Sequence, residues 1–222
     1  MENLQEELQK ELENIFIEKN LNLFQDKNTI SLLINVAKKD INILRDCYEN
    51  LLLKKDYLNI YYQFSVHVEE ERVILKAQQI ESTLTFKDFK LFLVNLIDLF
   101  EPIYPLGTVV SLKKEYLNNI FRESEIKEVY FVITHRFISN ESTNVYFQYA
   151  GVPFPIGNLG MKEFFNFTSP LIDEVIYSGY SNNQEVAFVY MMKRELILEK
   201  EYKSIGFASK EERNEFQNLI KK

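Results

Sequence analysis

The sequence predicts an α+β protein in which N-terminal helices, a β-hairpin and a buried helix precede a largely antiparallel sheet with C-terminal helices. Apolar residues recur at helical spacing near the N-terminus and alternate strictly from residue 58. Glycine and proline are absent from the first 100 residues and then arrive together. Because these two residues punctuate structure, we expect a helical and hairpin region over residues 1–100 and an α+β domain with C-terminal helices over residues 101–222.

Two amphipathic helices are predicted first. Residues 4–16 place leucine, isoleucine and phenylalanine on one helical face, and residues 30–51 repeat the pattern. Asn28 or Thr29 can cap the second helix, which would be about 35 Å long if it were unbroken. Its apolar stripe would either pack within the chain or be offered to another protein.

A hairpin and a buried helix are predicted next. Residues 58–68 alternate as a strand with one buried face, the charged run 69–72 turns the chain, and residues 73–80 return as the partner strand. Thr85 and Asp88 have capping-box spacing, which predicts a helix through Phe100. This helix is apolar on nearly every side, so we expect it to be largely buried.

The second half contains runs rich in β-branched and aromatic residues, followed by helices. Strands are predicted at 108–112, 129–138, 145–149, 164–167 and 174–177. Ser181 with Gln184, and Ser209 with Glu212, have capping-box spacing. These pairs predict a helix over 184–200 and a short terminal helix.

The composition argues against several classes of function. The net charge of −7 and the pI near 5.1 argue against a nucleic-acid partner, because phosphate binding needs clustered lysine and arginine. A single cysteine cannot form an internal disulfide, which is typical of a reducing cytosol. The longest apolar-rich run, 86–100, is too short and too polar for membrane insertion, and the acidic N-terminus does not resemble a secretory signal. We therefore expect a cytoplasmic protein.

No catalytic, cofactor-binding or metal site is predicted. His67 and His135 lie far apart in predicted strands and lack the spacing of metal ligands, and His135 is expected on a solvent face. Cys47 lies in an amphipathic helix without an activating group in recognisable spacing, so packing is its expected role. The chain is accordingly predicted not to be an enzyme, and no cofactor is expected.

The stretch AGVPFPIGNLG, residues 150–160, raises the question of why it concentrates glycine and proline. It lacks the spacing of a phosphate-binding loop, and its prolines remove backbone donors. The prolines would stiffen the exit from the preceding strand, while Gly157 and Gly160 would permit the positive φ that folds the chain back. The rigid loop would present Phe154 and Ile156, which either close the core of the sheet or form an exposed recognition edge. The candidate partner-binding residues are Tyr149, Val152, Phe154, Ile156 and Asn158.

Three motifs resemble a family of small domains in Firmicutes. They are LGTVVSLKK at 106–114, YAGVPFPIGNLG at 149–160 and IDEVIYSGYSNNQEVAFV at 172–189. The resemblance covers roughly residues 101–197, and the insertion EYLNNIFRESEIK departs from the family pattern.

The members of that family are encoded beside type VII secretion loci and resemble chaperones associated with LXG-type toxins. The resemblance therefore implies a non-enzymatic, cytoplasmic chaperone or targeting factor. Such a protein would bind a cognate LXG-type toxin by protein–protein contact and stabilise it before export. Two alternatives stay open: an immunity protein that occludes the toxin's active site, and an enzyme whose site is assembled from scattered residues.

Overall fold

The computed structural model describes residues 2–24, 26–117, 129–158 and 164–220. The chain begins and ends with helices, and two largely antiparallel sheets contain its strands, so the predicted α+β class is confirmed. The chain divides into two compact units. The first unit comprises Glu2–Glu101 and Lys193–Glu199, and the second comprises Pro102–Met192 and Lys200–Lys222.

The first unit contains four α-helices and a small sheet among its described residues. The helices are α1 (Glu2–Asn20), α2 (Lys27–Lys39), α3 (Ile41–Leu52) and α4 (Phe86–Phe100). The strands β1 (Tyr57–Asn59), β2 (Phe64–Val68), β3 (Arg72–Ala77) and β4 (Ile80–Thr85) form an antiparallel sheet in that order.

The prediction of a single helix over residues 30–51 is wrong, because Asp40 interrupts the helix. The backbone of Asp40 is extended, and its carboxylate accepts a hydrogen bond from the amide of Asn42 at 3.0 Å. Asp40 thus ends α2 and caps α3 by satisfying a free first-turn donor. The start of α2 is likewise capped by Asp26, which accepts from the amide of Asn28, and not by Asn28 or Thr29.

The prediction of a single strand over residues 58–68 is also wrong, because this segment contains two strands, β1 and β2. The side chain of Asn59 accepts a hydrogen bond from the amide of Tyr62 at 2.9 Å, and this turn separates β1 from β2. The predicted return of the chain after the charged run is confirmed, since β3 pairs with β2 from Phe64↔Ala77 to Val68↔Val73. The prediction missed β4, which turns back after Ala77.

Helix α4 forms the centre of the first unit's core. The amide of Asp88 donates to the hydroxyl of Thr85 at 3.1 Å, and that hydroxyl donates to the Asp88 carboxylate at 2.7 Å, so the predicted cap is confirmed. Eight of the fifteen residues of α4 are buried, as expected from its apolar composition. The ring of Phe92 contacts Phe16 and Phe24, with centroids 5.3 and 4.7 Å away.

The second unit is built on a six-stranded, largely antiparallel sheet. The strands are β5 (Val109–Leu112), β6 (Tyr130–Ser139), β7 (Val145–Phe154), β8 (Phe165–Phe167), β9 (Ile172–Tyr177) and β10 (Lys203–Ser204). Their order is β10-β7-β6-β5-β9, and β8 also pairs with β7. The short helix α5 (Lys114–Leu117) begins the predicted insertion, whose remaining residues lie outside the described ranges.

The C-terminal helices differ partly from the prediction. Helix α6 (Asn183–Lys193) is capped by Asn182, whose side chain accepts from the amide of Glu185 at 3.0 Å, instead of by Ser181. It continues as a π-helix, Arg194–Glu199, whose residues belong to the first unit. The terminal helix α7 (Lys210–Ile220) has the predicted reciprocal cap between Ser209 and Glu212. No helix in the described ranges is long and apolar enough to cross a membrane.

Candidate partner-binding site

The sheet of the second unit has one face packed on a core and another that remains partly exposed. Val110, Phe131, Ile133 and Tyr149 are fully buried in one cluster and mark the core face. Successive side chains of a strand point to opposite faces. Their neighbours along β5, β6 and β7 therefore point to the opposite, outer face.

Strand register aligns the outer side chains in two rows across four strands. Val152 pairs with Val132, Val132 with Val109, and Val109 with Tyr177. The adjacent row pairs Phe154 with Tyr130, Tyr130 with Ser111, and Ser111 with Glu174. We call the apolar members of these rows the outer strip: Val109, Tyr130, Val132, Val152, Phe154 and Tyr177.

The outer strip is accessible to a partner. Phe154 and Tyr177, at its two ends, expose 52% and 66% of their surface. The four residues between them are partly exposed. Contiguous apolar surface that a protein domain leaves accessible is typical of interaction sites.

Two β-bulges turn most of strand β9 outward. The register between β5 and β9 shifts twice, which leaves Asp173 as an extra residue between Ile172 and Glu174, and Ile176 as an extra residue between Val175 and Tyr177. The side chains of the two extra residues, and those of Glu174 and Tyr177, are exposed. The strip is consequently bordered at β9 by two carboxylates.

The glycine- and proline-rich stretch continues β7 and then closes a tight turn. The sequence placed the end of this strand near Tyr149, but β7 extends to Phe154, and Pro153 pairs with Phe131. Pro153 can lie in the strand because β8, on the other side of β7, pairs only as far as Gly151.

The turn after β7 displays the predicted loop residues. The amide of Gly157 donates to the carbonyl of Pro153 at 2.7 Å, and Gly157 has the predicted positive φ of 67°. The peptide bond between Phe154 and Pro155 is cis. Phe154 and Ile156 each expose more than half of their surface, so they form an exposed edge and do not close the core. Asn158 is exposed, and Gly160 lies outside the described residues.

Gly151 is required by close packing within the sheet. A Cβ atom at this position would lie 2.5 Å from the carbonyl oxygen of Val132, a backbone atom that the β-sheet holds in place. Gly157 has no atom within 4 Å of a Cβ, so its requirement is conformational alone. The two glycines therefore serve different purposes.

Tyr149 does not belong to the accessible surface, because it is fully buried. Its hydroxyl donates to the carbonyl of Pro102 at 3.1 Å and accepts from the amide of Tyr104 at 3.2 Å. Burial raises the pKa of this phenol to about 12, so the hydroxyl stays protonated and remains a donor. Tyr149 anchors the start of the second unit, while Val152 is partly exposed and belongs to the outer strip.

Helix α6 presents a second apolar surface. Residues 186–192 are all apolar or aromatic, and Phe188 and Met191 expose 37% and 56% of their surface. The helix is held by a bidentate ion pair in which Arg136 of β6 contacts both oxygens of Glu185. The guanidinium also lies over the ring of Phe188, 5.1 Å from its centroid.

The two histidines and the cysteine are not members of the outer strip or of the apolar surface of α6. His135 is exposed on β6, as predicted, and contacts the Thr134 hydroxyl at 3.0 Å. His67 lies 2.6 Å from the Asp56 carboxylate on the exposed side of the other sheet. Cys47 is buried in α3, and burial raises the pKa of its thiol to about 12, which makes it unreactive. Among the described residues, no group of three or more His, Cys, Asp or Glu residues could hold a metal ion.

One protein-family model matches part of the chain. Residues 103–188 match the model of a family described as a domain of unknown function, DUF4176. This segment, less than half of the chain, contains the whole outer strip. No curated protein and no solved structure matches the chain significantly.

Sequence reasoning found Val152 and Phe154 but missed the rest of the outer strip. The other members lie on β5, β6 and β9, and only strand register brings them beside β7. The available signal was the alternation within each strand, as in Tyr130-Phe131-Val132-Ile133. That alternation gives two faces but does not say which strands are neighbours.

Proposed function

We propose that this protein is a non-enzymatic, cytoplasmic chaperone or targeting factor that binds a cognate LXG-type toxin before type VII secretion. The observation that carries the proposal is the outer strip, a partly exposed apolar surface within residues 101–197, the segment whose motifs resemble those toxin-associated domains. A chaperone of this kind covers apolar surface on its client until the client is exported.

Co-expression with a candidate LXG-type toxin tests this function. We expect the two proteins to co-purify, the toxin to become less abundant when this protein is absent, and the purified complex to retain toxin activity. Toxin whose abundance does not depend on this protein would contradict the proposal.

Replacing Phe154 with alanine should weaken toxin binding by about 1–3 kcal/mol, as expected for an aromatic anchor. Because half of the Phe154 side chain is exposed, the melting temperature of the free protein should hardly change. Leu58→Ala is the matched control, since Leu58 exposes 66% of its surface but lies in the other unit. Isothermal titration and thermal melting of both variants measure the two effects. Unchanged affinity in Phe154→Ala would remove this residue from the site.

An immunity protein is the second candidate, because the chain carries a net charge of −7. An acidic protein is suited to occluding the basic cleft of a nuclease toxin. The same purified complex distinguishes the two functions. Loss of toxin activity in the complex would favour immunity, and preserved activity would favour the chaperone.

A further inference from the structure

We propose that the outer strip binds an amphipathic helix of the partner, with lysine or arginine bordering the helix's apolar stripe. This inference rests on the proposed function only in taking the ligand to be a protein. It specifies the secondary structure and the charge of the segment that is bound.

The edge of the sheet is poorly suited to binding a strand. Strand β9 ends the strand order, but it is six residues long, contains two bulges and carries two exposed carboxylates. Bulges and charge are features by which proteins prevent an edge strand from pairing. A partner is therefore expected on the face of the sheet and not along its edge.

The dimensions of the outer strip fit one helix. Four neighbouring strands span three gaps of roughly 4.8 Å, or about 14 Å across the sheet. A helix of about ten residues has the same length at 1.5 Å per residue. The row from Val152 to Tyr177 is apolar across all four strands, and Phe154 and Tyr130 widen it at β7 and β6. This shape matches the apolar stripe of a helix, and a partly exposed sheet face is commonly packed by one.

The charge at the β9 border of the outer strip favours a basic partner there. Asp173 and Glu174 are exposed at this border, while the exposed cations Lys113 and Lys114 lie beyond the end of β5. Lysine or arginine beside the helix's apolar stripe would complement this surface.

A second copy of the chain is a poorer occupant. Two copies packed through this surface about a twofold axis at the β9 border would bring Asp173 and Glu174 of each copy together. Like charges brought together in this way oppose association. Self-association through the strip is accordingly an outcome that would overturn the proposal.

The test uses the full chain and labelled peptides of about 14 residues built only from leucine and lysine. One peptide has helical spacing, an isomer of the same composition alternates with period two, and an analogue carries glutamate in place of lysine. Fluorescence anisotropy at low and high salt measures their binding. The protein variants are Phe154→Ala and Tyr177→Ala in the strip, Glu174→Lys at its border, and Glu141→Lys as an exposed control in the β6–β7 turn.

We expect the helical lysine peptide to bind best and to lose affinity at high salt. Each strip or border variant should weaken it by about tenfold, and Glu141→Lys should change it by less than about twofold. Circular dichroism confirms that each variant is folded, and two strip variants keep the test valid if one is not.

The proposal would be overturned if the period-two isomer or the glutamate analogue bound as tightly as the helical lysine peptide, or if the helical lysine peptide did not bind. It would also be overturned if Glu141→Lys weakened binding of that peptide as much as the strip variants do. A dimer of the free protein that dissociates in Phe154→Ala would assign the strip to self-association. These results are independent of the toxin. Failed co-purification beside strip-dependent peptide binding would reject the proposed function and leave this inference standing.

Discussion

At the scale of the residue, the buried ammonium group of Lys193 holds the C-terminal end of α6 through hydrogen bonds. Its ammonium group donates to the carbonyls of Leu99 and Glu101, both at 2.7 Å, within the first unit. Burial lowers the pKa of Lys193 from 10.5 to about 8, although the nearby Asp98 opposes the shift. The hydrogen bonds place this lysine at the C-terminal end of α4, where cations are favoured.

Replacing Lys193 with methionine should lower the free energy of unfolding by an amount that grows with pH. Each carbonyl left without a donor costs about 1–3 kcal/mol. Between pH 8 and 10.5 the unfolded wild-type chain binds a proton that the native Lys193 has released, so wild-type stability rises with pH. The methionine variant lacks this contribution.

Urea unfolding of both proteins from pH 7 to 10 measures the Lys193 effect. The difference between the two should widen above pH 8, by at most about 1.4 kcal/mol per pH unit. Lys10→Met, a change at an exposed residue of α1, is the control and should leave the unfolding curve unchanged. A constant difference across this pH range would contradict the lowered pKa of Lys193.

At the scale of the element, β7 depends on a glycine in mid-strand. We expect Gly151→Ala to lower the free energy of unfolding by about 2 kcal/mol or more, because a Cβ atom would meet the Val132 carbonyl oxygen at 2.5 Å. Gly206→Ala is the steric control, since its nearest atom would lie 3.9 Å away. Denaturant titration of the two variants compares them, and equal stability would contradict the close approach of β6 and β7.

The start of α3 depends on Asp40 in the same way. Asp40→Ala should destabilise the protein by about 0.5–2 kcal/mol, because the amide of Asn42 loses its acceptor. Asp40→Ser should restore most of this loss, since serine is also a good cap. Thermal unfolding of the pair distinguishes a cap from a charge effect. Equal loss in both variants would indicate that the carboxylate matters for another reason.

Patterns within a few residues predicted the start of α4, but they did not predict the break between α2 and α3 or the pairing of strands. Thr85 and Asp88 predicted α4 because a cap is contained within four residues. The break at Asp40 escaped the periodicity because the apolar residues keep helical spacing from Ile30 through Leu51, across both helices. The outer strip escaped because it depends on pairing between strands up to about 70 residues apart, which spacing along one strand does not encode.

At the scale of the whole molecule, the two units are not consecutive stretches of chain. The chain passes from the first unit to the second between Glu101 and Pro102, and Lys193–Glu199 also belongs to the first unit. Leu196, Ile197 and Leu198 are each at most 3% exposed. Burying three such side chains contributes roughly 5–9 kcal/mol as an upper estimate. The C-terminal portion of the chain therefore completes the core of the first unit.

Cutting the chain between Glu101 and Pro102 should leave the two fragments associated. A specific protease site placed there yields an N-terminal fragment that lacks residues 193–199 and a C-terminal fragment that carries them. Because the apolar residues 196–198 are buried in the first unit, we expect the fragments to co-elute in size-exclusion chromatography at about 50 µM. The same cut in an Ile197→Asp variant should release the fragments, since a buried carboxylate without a partner is strongly unfavourable.

The control variant is Lys200→Asp, at an exposed position just beyond the π-helix, and its two fragments should stay associated. Separation of the unsubstituted fragments without denaturant would contradict the assignment of residues 193–199 to the first unit.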